Sequence, residues 1–409
     1  MRLLHLTMEL PYAPGGPGGA TRQFSLLRRL VERAHQVTVV SAATEAHERE
    51  TGAVPLMEAA GFDYRPARRP ASRAAEVAAA TRRDPRTLAR VVTRPWFAWQ
   101  FGIFWQNARA HALQQVEELR PDLITVEHDD LAPVIHDLPG AVPAVLCTQN
   151  TSWRLLRRES EFGGVGPRTR LRLEAARHHR MTARAVPGYA GVVAVSDGDA
   201  RDFADLGARR VEVVPNGAHF APRSPPSADG PPTLLFTGSM DHPPNRDAIL
   251  WFGREAWPLV TARVADARLL VVGRGPQDEL SGLARQPGVQ VTGPVPQMGP
   301  WFERAHVAIA PLRSGGGSRL KILEALAAGR AVVSTTVGAE GLDLRPSEHL
   351  LVCDSAQDFA EACVRLLGDG VLRERLAAQG RNHAAQRYDW PALGDRFDSA
   401  LENILRAAH

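Results

Sequence analysis

Lysine is all but absent from this chain of 409 residues. Among its 49 basic side chains only Lys321 is a lysine; every other one is an arginine. Cysteine is nearly as scarce. Cys147, Cys353 and Cys363 have no metal-ligand spacing and are too few for a disulfide framework, which points to a reducing compartment. No run approaches about 18 uninterrupted apolar residues, so no membrane-spanning helix is expected. The opening MRLLHLTMELPYAPGG lacks the apolar core and small-residue cleavage site of a secretory signal. These absences predict a cytoplasmic, soluble protein. The formal net charge is only +4, so nucleic acid has no electrostatic claim as a partner.

Hydrophobic content of 44% and charged content of 23% are those of a globular protein, and the length suits two domains. Arginine is unevenly spread. Nine arginines fall between Arg65 and Arg94, and a second cluster runs from Arg154 to Arg184. Such blocks are usually solvated faces. Next to the first lies PWFAWQFGIFWQ (95–106), with six aromatics in twelve residues. Packing is its plainest use. An apolar acceptor pocket and, with the arginines, peripheral contact with anionic lipid are the sharper and less favoured readings.

The chain reads as alternating strands and helices. LLHLTM, a glycine-rich turn, the amphipathic TRQFSLLRRLVERA and the strand HQVTVVSA make one βαβ unit. DLITVEH, AVLCTQN, GVVAVSD and VEVVPNG are further apolar strands with polar ends. Residues 221–232, APRSPPSADGPP, hold five prolines and form the expected linker. The pattern then restarts with TLLFTGS. The prediction is an α/β protein of two Rossmann-like, doubly wound domains facing each other across a cleft, with ligand groups at the carboxyl ends of parallel strands. The expected boundaries are 1–220, a linker at 221–232, and 233–388. A C-terminal helix over 389–409 would pack back on the first domain.

Lys321 lies in SGGGSRLKILEALAAGR (314–330), between strand HVAIAPL and a helix. Three glycines allow close approach of a ligand to the backbone, and the helix start offers free N–H groups. Arg319 and Lys321 in that first turn run against the helix dipole unless an anion binds there. A diphosphate resolves the conflict. The plain alternative is a surface ion pair between Lys321 and Glu324. Glu324 sits among apolar residues on a helix expected to be mostly buried, where accepting hydrogen bonds from a ribose would satisfy it.

Taken together, this loop, Glu324, ALAAGRAVVSTTVGAEGL, GGPGGATR, VSDGDARDF with VEVVPNGAHF, and FTGSMDHPPNRDAILWF resemble the GT-B glycosyltransferases of the retaining family 4, group 1 type. The resemblance covers nearly the whole chain. It implies a nucleotide-sugar donor, no metal and no other cofactor. Donor diphosphate contacts would come from Gly18, Gly19, Gly315, Gly316, Gly317, Ser318, Arg319 and Lys321. Gly238, Ser239, Val295 and Glu324 would hold the nucleoside. His128, in VEHDDLAP, takes the place of the family's histidine beside the anomeric carbon, and with Glu324 is the expected catalytic residue. Arg22, Gln149 and Asn150 fall on the acceptor side, although Gln149 and Asn150 could equally cap the next helix.

Two departures from the family stand out. The first of its paired glutamates falls on Gly316, eight residues before Glu324, and the usual Arg and Lys of the second domain fall on Ser239 and Asn245. Arg319 and Lys321 could supply the missing charge from the other side. Asp129 and Asp130 read as loop charge rather than a metal site, and VVGRGPQDEL lacks the rest of a nicotinamide fingerprint. The expected activity is sugar transfer from a UDP- or GDP-sugar with retention, to an acceptor that is favoured to be a small molecule, by a monomer or homodimer. A cell-envelope glycan acceptor, a GT-B epimerase and an idle sugar-nucleotide binder stay open as alternatives.

Overall fold

The computed structural model describes residues 1–408 apart from 15, 71, 94–102, 163–164, 221–229, 276 and 315–318. Most of the 95–106 aromatic stretch, most of the linker, and Gly315 to Ser318 therefore lie outside the described residues. The described chain divides into two compact units. One comprises Met1–Pro215 and Trp390–His409, and the other Asn216–Asp389 apart from the undescribed loop.

The first unit is built on a parallel sheet of β1 (Arg2–Thr7), β2 (Gln36–Ser41), β3 (Asp63–Tyr64), β4 (Leu123–Glu127), β5 (Ala144–Cys147), β6 (Gly191–Ala194) and β7 (Val211–Val213). The spatial order is β3-β2-β1-β4-β5-β6-β7, with Leu3 paired to Leu123 and Leu6 to Val126 across the centre. Strands such as LITVE are buried along their whole length, as a sheet covered on both faces requires. Chain order reverses between β1 and β4. Loops leaving those two strands diverge there and open a crevice at their carboxyl ends.

The second unit repeats the plan with β8 (Thr233–Thr237), β9 (Arg268–Val272), β10 (Val289–Val291), β11 (Val307–Ala310), β12 (Ala331–Ser334) and β13 (Leu351–Val352). Its order is β10-β9-β8-β11-β12-β13, so the reversal lies between β8 and β11. Phe236, Phe252, Trp257 and Phe359 fill the core on one side of this sheet. The stretch RDAILWFGREAWPLV is helical as its periodicity predicts, but Phe252–Ala256 widens into one π turn between Pro243–Trp251 and Trp257–Thr261.

The boundary differs from the sequence reading. Residues 216–220 side with the second unit, because Ala218 N–H donates to Tyr388 O at 2.8 Å and the Phe220 amide points to Asp389 Oδ1 at 3.4 Å. The terminal helix Trp390–Ala408 packs with the first unit against α1 (Gly18–Glu32). Arg29 grips both oxygens of Asp395, at 2.9 and 3.0 Å, and Ile404 lies on Gly191 of β6. Gly394 faces Arg29 so closely that a Cβ there would sit 2.4 Å from Arg29 Cβ. Among the described residues no helix is long and apolar enough to cross a membrane.

Candidate active site

At the reversal point of the first unit, β4 ends in Glu127 and passes to His128, which adopts φ +80° and ψ 137°. That left-handed φ is rare for a histidine and costs of order 1–3 kcal/mol, offset only where the surroundings hold the residue firmly. Here they do. His128 Nδ1 lies 3.0 Å from Asp130 Oδ2 and 3.3 Å from Asp129 Oδ1. The Asp130 amide also points at Nδ1, at 3.4 Å, but the nearer carboxylate decides: Nδ1 carries a hydrogen and donates it. Burial alone would lower the His128 pKa; Asp130, with Asp129 and Glu9, outweighs it and raises it to about 10.

Asp129 and Asp130 are not loop charge. Both are buried, at 0% and 2% exposure. Asp129 accepts from the Ser152 amide at 2.9 Å and the Ser152 hydroxyl at 2.6 Å, anchoring the helix Ser152–Glu159. Asp130 Oδ1 accepts from His178 Nε2 at 2.6 Å. Sequence reasoning read this pair as solvated because the carboxylates' partners lie 23 and 48 residues away. His128, Asp129 and Asp130 could share a cation by proximity alone. Each carboxylate oxygen nonetheless already accepts a hydrogen bond, and a protonated Nδ1 is no ligand.

Gly19, in the first turn of α1, faces the same strand ends. A Cβ on it would fall 2.1 Å from Gln149 Oε1 and 2.7 Å from Glu9 Oε2, so a side chain there would have to push both of those side-chain ends aside. Gln149 Nε2 donates to Glu127 Oε1 at 3.0 Å, and burial raises the Glu127 carboxyl to about 7 against the pull of Arg22. Gln149 is thus tied to the end of β4 and does not cap a helix. The helix after it starts at Ser152 with Thr151 as its cap residue, whose side chain makes no capping bond, and Asp129 takes the Ser152 amide instead. Asn150 Oδ1 is buried with no hydrogen-bond partner among the described residues. Gly18 is exposed beside Gly19. Arg22 is elsewhere engaged: buried at 1% exposure, it donates to the carbonyls of Val214 at 2.7 Å and Pro215 at 2.9 Å. It ties α1 to the last residues of the first unit.

In the second unit the reversal point gathers Gly238, Ser239, Asn245, Arg319 and Lys321. Gly238 follows β8 with φ +151°, and a Cβ there would meet Asn245 Nδ2 at 2.9 Å and Lys321 Nζ at 3.2 Å. Asn245 Nδ2 donates to Ser239 O at 2.8 Å, and its Oδ1 accepts from Lys321 Nζ at 2.7 Å. The ammonium also stands over the Phe236 ring, 4.2 Å from its centre. Arg319 precedes the helix Leu320–Ala327 and reaches Glu340 at 3.3 Å. Burial and the neighbouring Arg319 lower the Lys321 pKa to about 7. Burial, Lys321 and Arg319 lower His242 as well, so this corner favours an anion.

The surface ion pair between Lys321 and Glu324 does not form; the amine turns to Asn245 instead. Glu324 departs from its expected setting too. Ile322, Leu323, Ala325 and Leu326 take the buried side of the helix and leave Glu324 exposed. The chain still crowds its carboxyl enough to raise its pKa, while Lys321 pulls the other way. Val295 is half-buried against the core cluster that holds Ile322 and Leu350. Glu127, Ser152 and His178 were not anticipated from sequence. The one signal for His178 is that Glu174, Ala175, His178 and Thr182 share the buried face of an otherwise arginine-rich helix, Val165–Ala185.

The family described as Glycosyltransferase Family 4 matches residues 17–220, and that described as Glycosyl transferases group 1 matches residues 231–369. A phosphatidyl-myo-inositol mannosyltransferase of Mycobacterium tuberculosis is 35% identical over 232 residues, covering 52% of this chain. The match spans 60% of that relative's length. Sucrose-phosphate synthase of Thermosynechococcus elongatus superposes with a TM-score of 0.71 at 15% identity, over 99% of each chain. Anabaena HepE, solved in complex with UDP and glucose, gives 0.64 at 15% identity, over 98% of this chain and all of the other. Two parallel-sheet units and both family matches agree, and the chain belongs to the family 4, group 1 glycosyltransferases of GT-B fold.

Proposed function

We propose that this protein moves a sugar from a UDP- or GDP-linked donor to a hydroxyl of a small acceptor molecule, with retention of configuration and without a metal. The observation that carries the reading is the cluster of Lys321 Nζ, Asn245 Oδ1 and the close-approach Gly238, with Arg319 at the helix start. In this reading Asn245, where the family places a charged side chain, hands that task to the sole lysine. Lys321 and Arg319 bind the diphosphate with the glycines 315–317 and Ser318, and Gly18 and Gly19 approach it through their backbone. Ser239 and Val295 border the nucleoside, and the exposed Glu324 accepts from the ribose. Cations and N–H groups then stabilise the charge that develops on the leaving diphosphate. His128 offers a hydrogen-bond donor to the sugar or acceptor, while Gln149 and Asn150 order the acceptor side. The working unit is a cytoplasmic monomer or homodimer.

The decisive experiment is incubation with a panel of UDP- and GDP-sugars, with and without polyol acceptors. Acceptor-dependent release of nucleoside diphosphate supports transfer. Binding without turnover would make the chain an idle sugar-nucleotide binder, and an altered sugar without acceptor would make it an epimerase. Lys321→Ala should weaken nucleoside diphosphate binding by about tenfold or more while the melting temperature barely moves; equal affinity overturns the assignment. A second reading replaces the small acceptor with an inositol lipid and the sugar with mannose. It is favoured by the mycobacterial relatives, whose name specifies that reaction. Vesicles containing phosphatidylinositol, tested beside free inositol, separate the two.

A further inference from the structure

We propose that His178 is a positioning residue: through Asp130 it fixes the His128 ring so that Nε2–H is presented as a permanent donor, not a base. The inference rests on the reading that His128 faces the reacting groups. Asp130 bridges two imidazoles, taking His178 Nε2 at 2.6 Å on one oxygen and His128 Nδ1 at 3.0 Å on the other. An ionised carboxylate can only accept, so both of those nitrogens carry hydrogen. His178 is held in turn. It is buried on the helix Val165–Ala185, its Nδ1 lies 3.4 Å from the Thr182 hydroxyl, and Trp153 stacks alongside at 6.2 Å between ring centres.

Among the described residues His128 Nε2 has no partner, and the side chain is 21% exposed. One ring nitrogen is therefore locked inward and the other is left for a ligand. The groups facing this ring are Asp129 and Asp130 after β4, Glu127 at its end, Glu9 after β1, and His178. Three of the four acids press directly on the ring and favour its charged form. A second charge beside it, on His178, is balanced by the same two aspartates, since they outweigh burial and raise the His178 pKa as well. A ring already bearing both protons cannot take one from an acceptor hydroxyl. It can donate to a sugar oxygen and stabilise negative charge there.

The test uses the full chain with nitrogen-labelled histidine, following ring protonation by NMR, and His128→Ala identifies the relevant signal. In the wild type that ring should keep both protons to at least about pH 8. His178→Leu takes away a like charge, so the His128 titration should rise, while kcat for sugar transfer drops about 10–100-fold, with donor KM within about twofold. His178→Gln, which restores an N–H at the reach of Nε2 but not the charge, should recover most of kcat while the titration stays raised. A folded His178→Leu variant with unchanged titration and kcat overturns the proposal. Should that variant fail to fold, His178→Asn serves, because its shorter amide cannot reach Asp130; behaviour equal to that of His178→Gln overturns it equally. A chain whose His128 signal responds as expected but which transfers no sugar overturns the proposed reaction and leaves the link between the two rings standing.

Discussion

Lys321 Nζ and Asn245 Oδ1 meet at 2.7 Å across 76 residues of chain, and the amide offers the ammonium a dipole where a carboxylate would have cancelled its charge. With its pKa lowered to about 7 by burial and Arg319, the amine is protonated in full only below neutral pH. A bound diphosphate favours the protonated form, so affinity should fall as pH rises above about 7, by at most about tenfold per unit. Calorimetric titration of UDP and GDP from pH 6.5 to 9 reads this. Lys321→Arg should flatten the curve, and a fall of the same slope in that variant would exclude Lys321 as its source.

A Cβ on Gly19 would sit 2.1 Å from Gln149 Oε1, so a side chain there must displace the Gln149 amide. Gly19→Ala must push Gln149 off Glu127 or shift the start of α1. We expect a stability loss of about 1–3 kcal/mol, typical of overpacking. Transfer should fall by about tenfold or more, since small displacements of positioning groups are costly. Gly18→Ala, at the exposed neighbouring position, is the control and should be close to neutral in melting temperature.

Asp130→Asn removes the charge that outweighs burial at both imidazoles. Folded-state pKa values raised above the ordinary histidine value stabilise the fold fully below about pH 6.5, and His128 loses this as pH rises toward about 10. The melting deficit of the variant should therefore be largest near pH 6 and shrink toward pH 10. A deficit that grows with pH would mean that His128 is neutral in the folded protein.

Much of this was legible in the sequence. Alternating apolar strands and helices gave both sheets, because fully buried parallel strands leave continuous apolar runs such as LITVE and VAIA. Lys321 was legible because it is unique and stands behind glycines. What escaped was long-range pairing. Asp129 and Asp130 carry no mark that Ser152 and His178 await them, and burial of a carboxylate is decided by partners that only the fold brings near. Glu324 escaped for a local reason: its helix is apolar apart from Lys321 and that one position, and composition does not say which side faces out.

Asp398 is buried at 1% exposure, accepts from Arg33 at 2.5 Å and lies 2.9 Å from His35 Nε2. Asp398→Ala should destabilise the first unit by about 1–3 kcal/mol, the cost of stranding polar partners. Limited proteolysis near residue 389 should accelerate with it. Asp395→Ala, at a carboxylate that is itself 43% exposed, should cost less.

The terminal helix has a consequence for how the protein is made. Ile404 covers Gly191 and Gly394 nests on Arg29, so the first unit lacks part of its wall until the helix Trp390–Ala408 leaves the ribosome. The second unit, whose strands and helices all precede Trp390, can close its core while synthesis continues. The half that is translated first is thus the half that finishes folding last, and a nascent chain halted before Trp390 should expose the flank of α1 to any chaperone nearby.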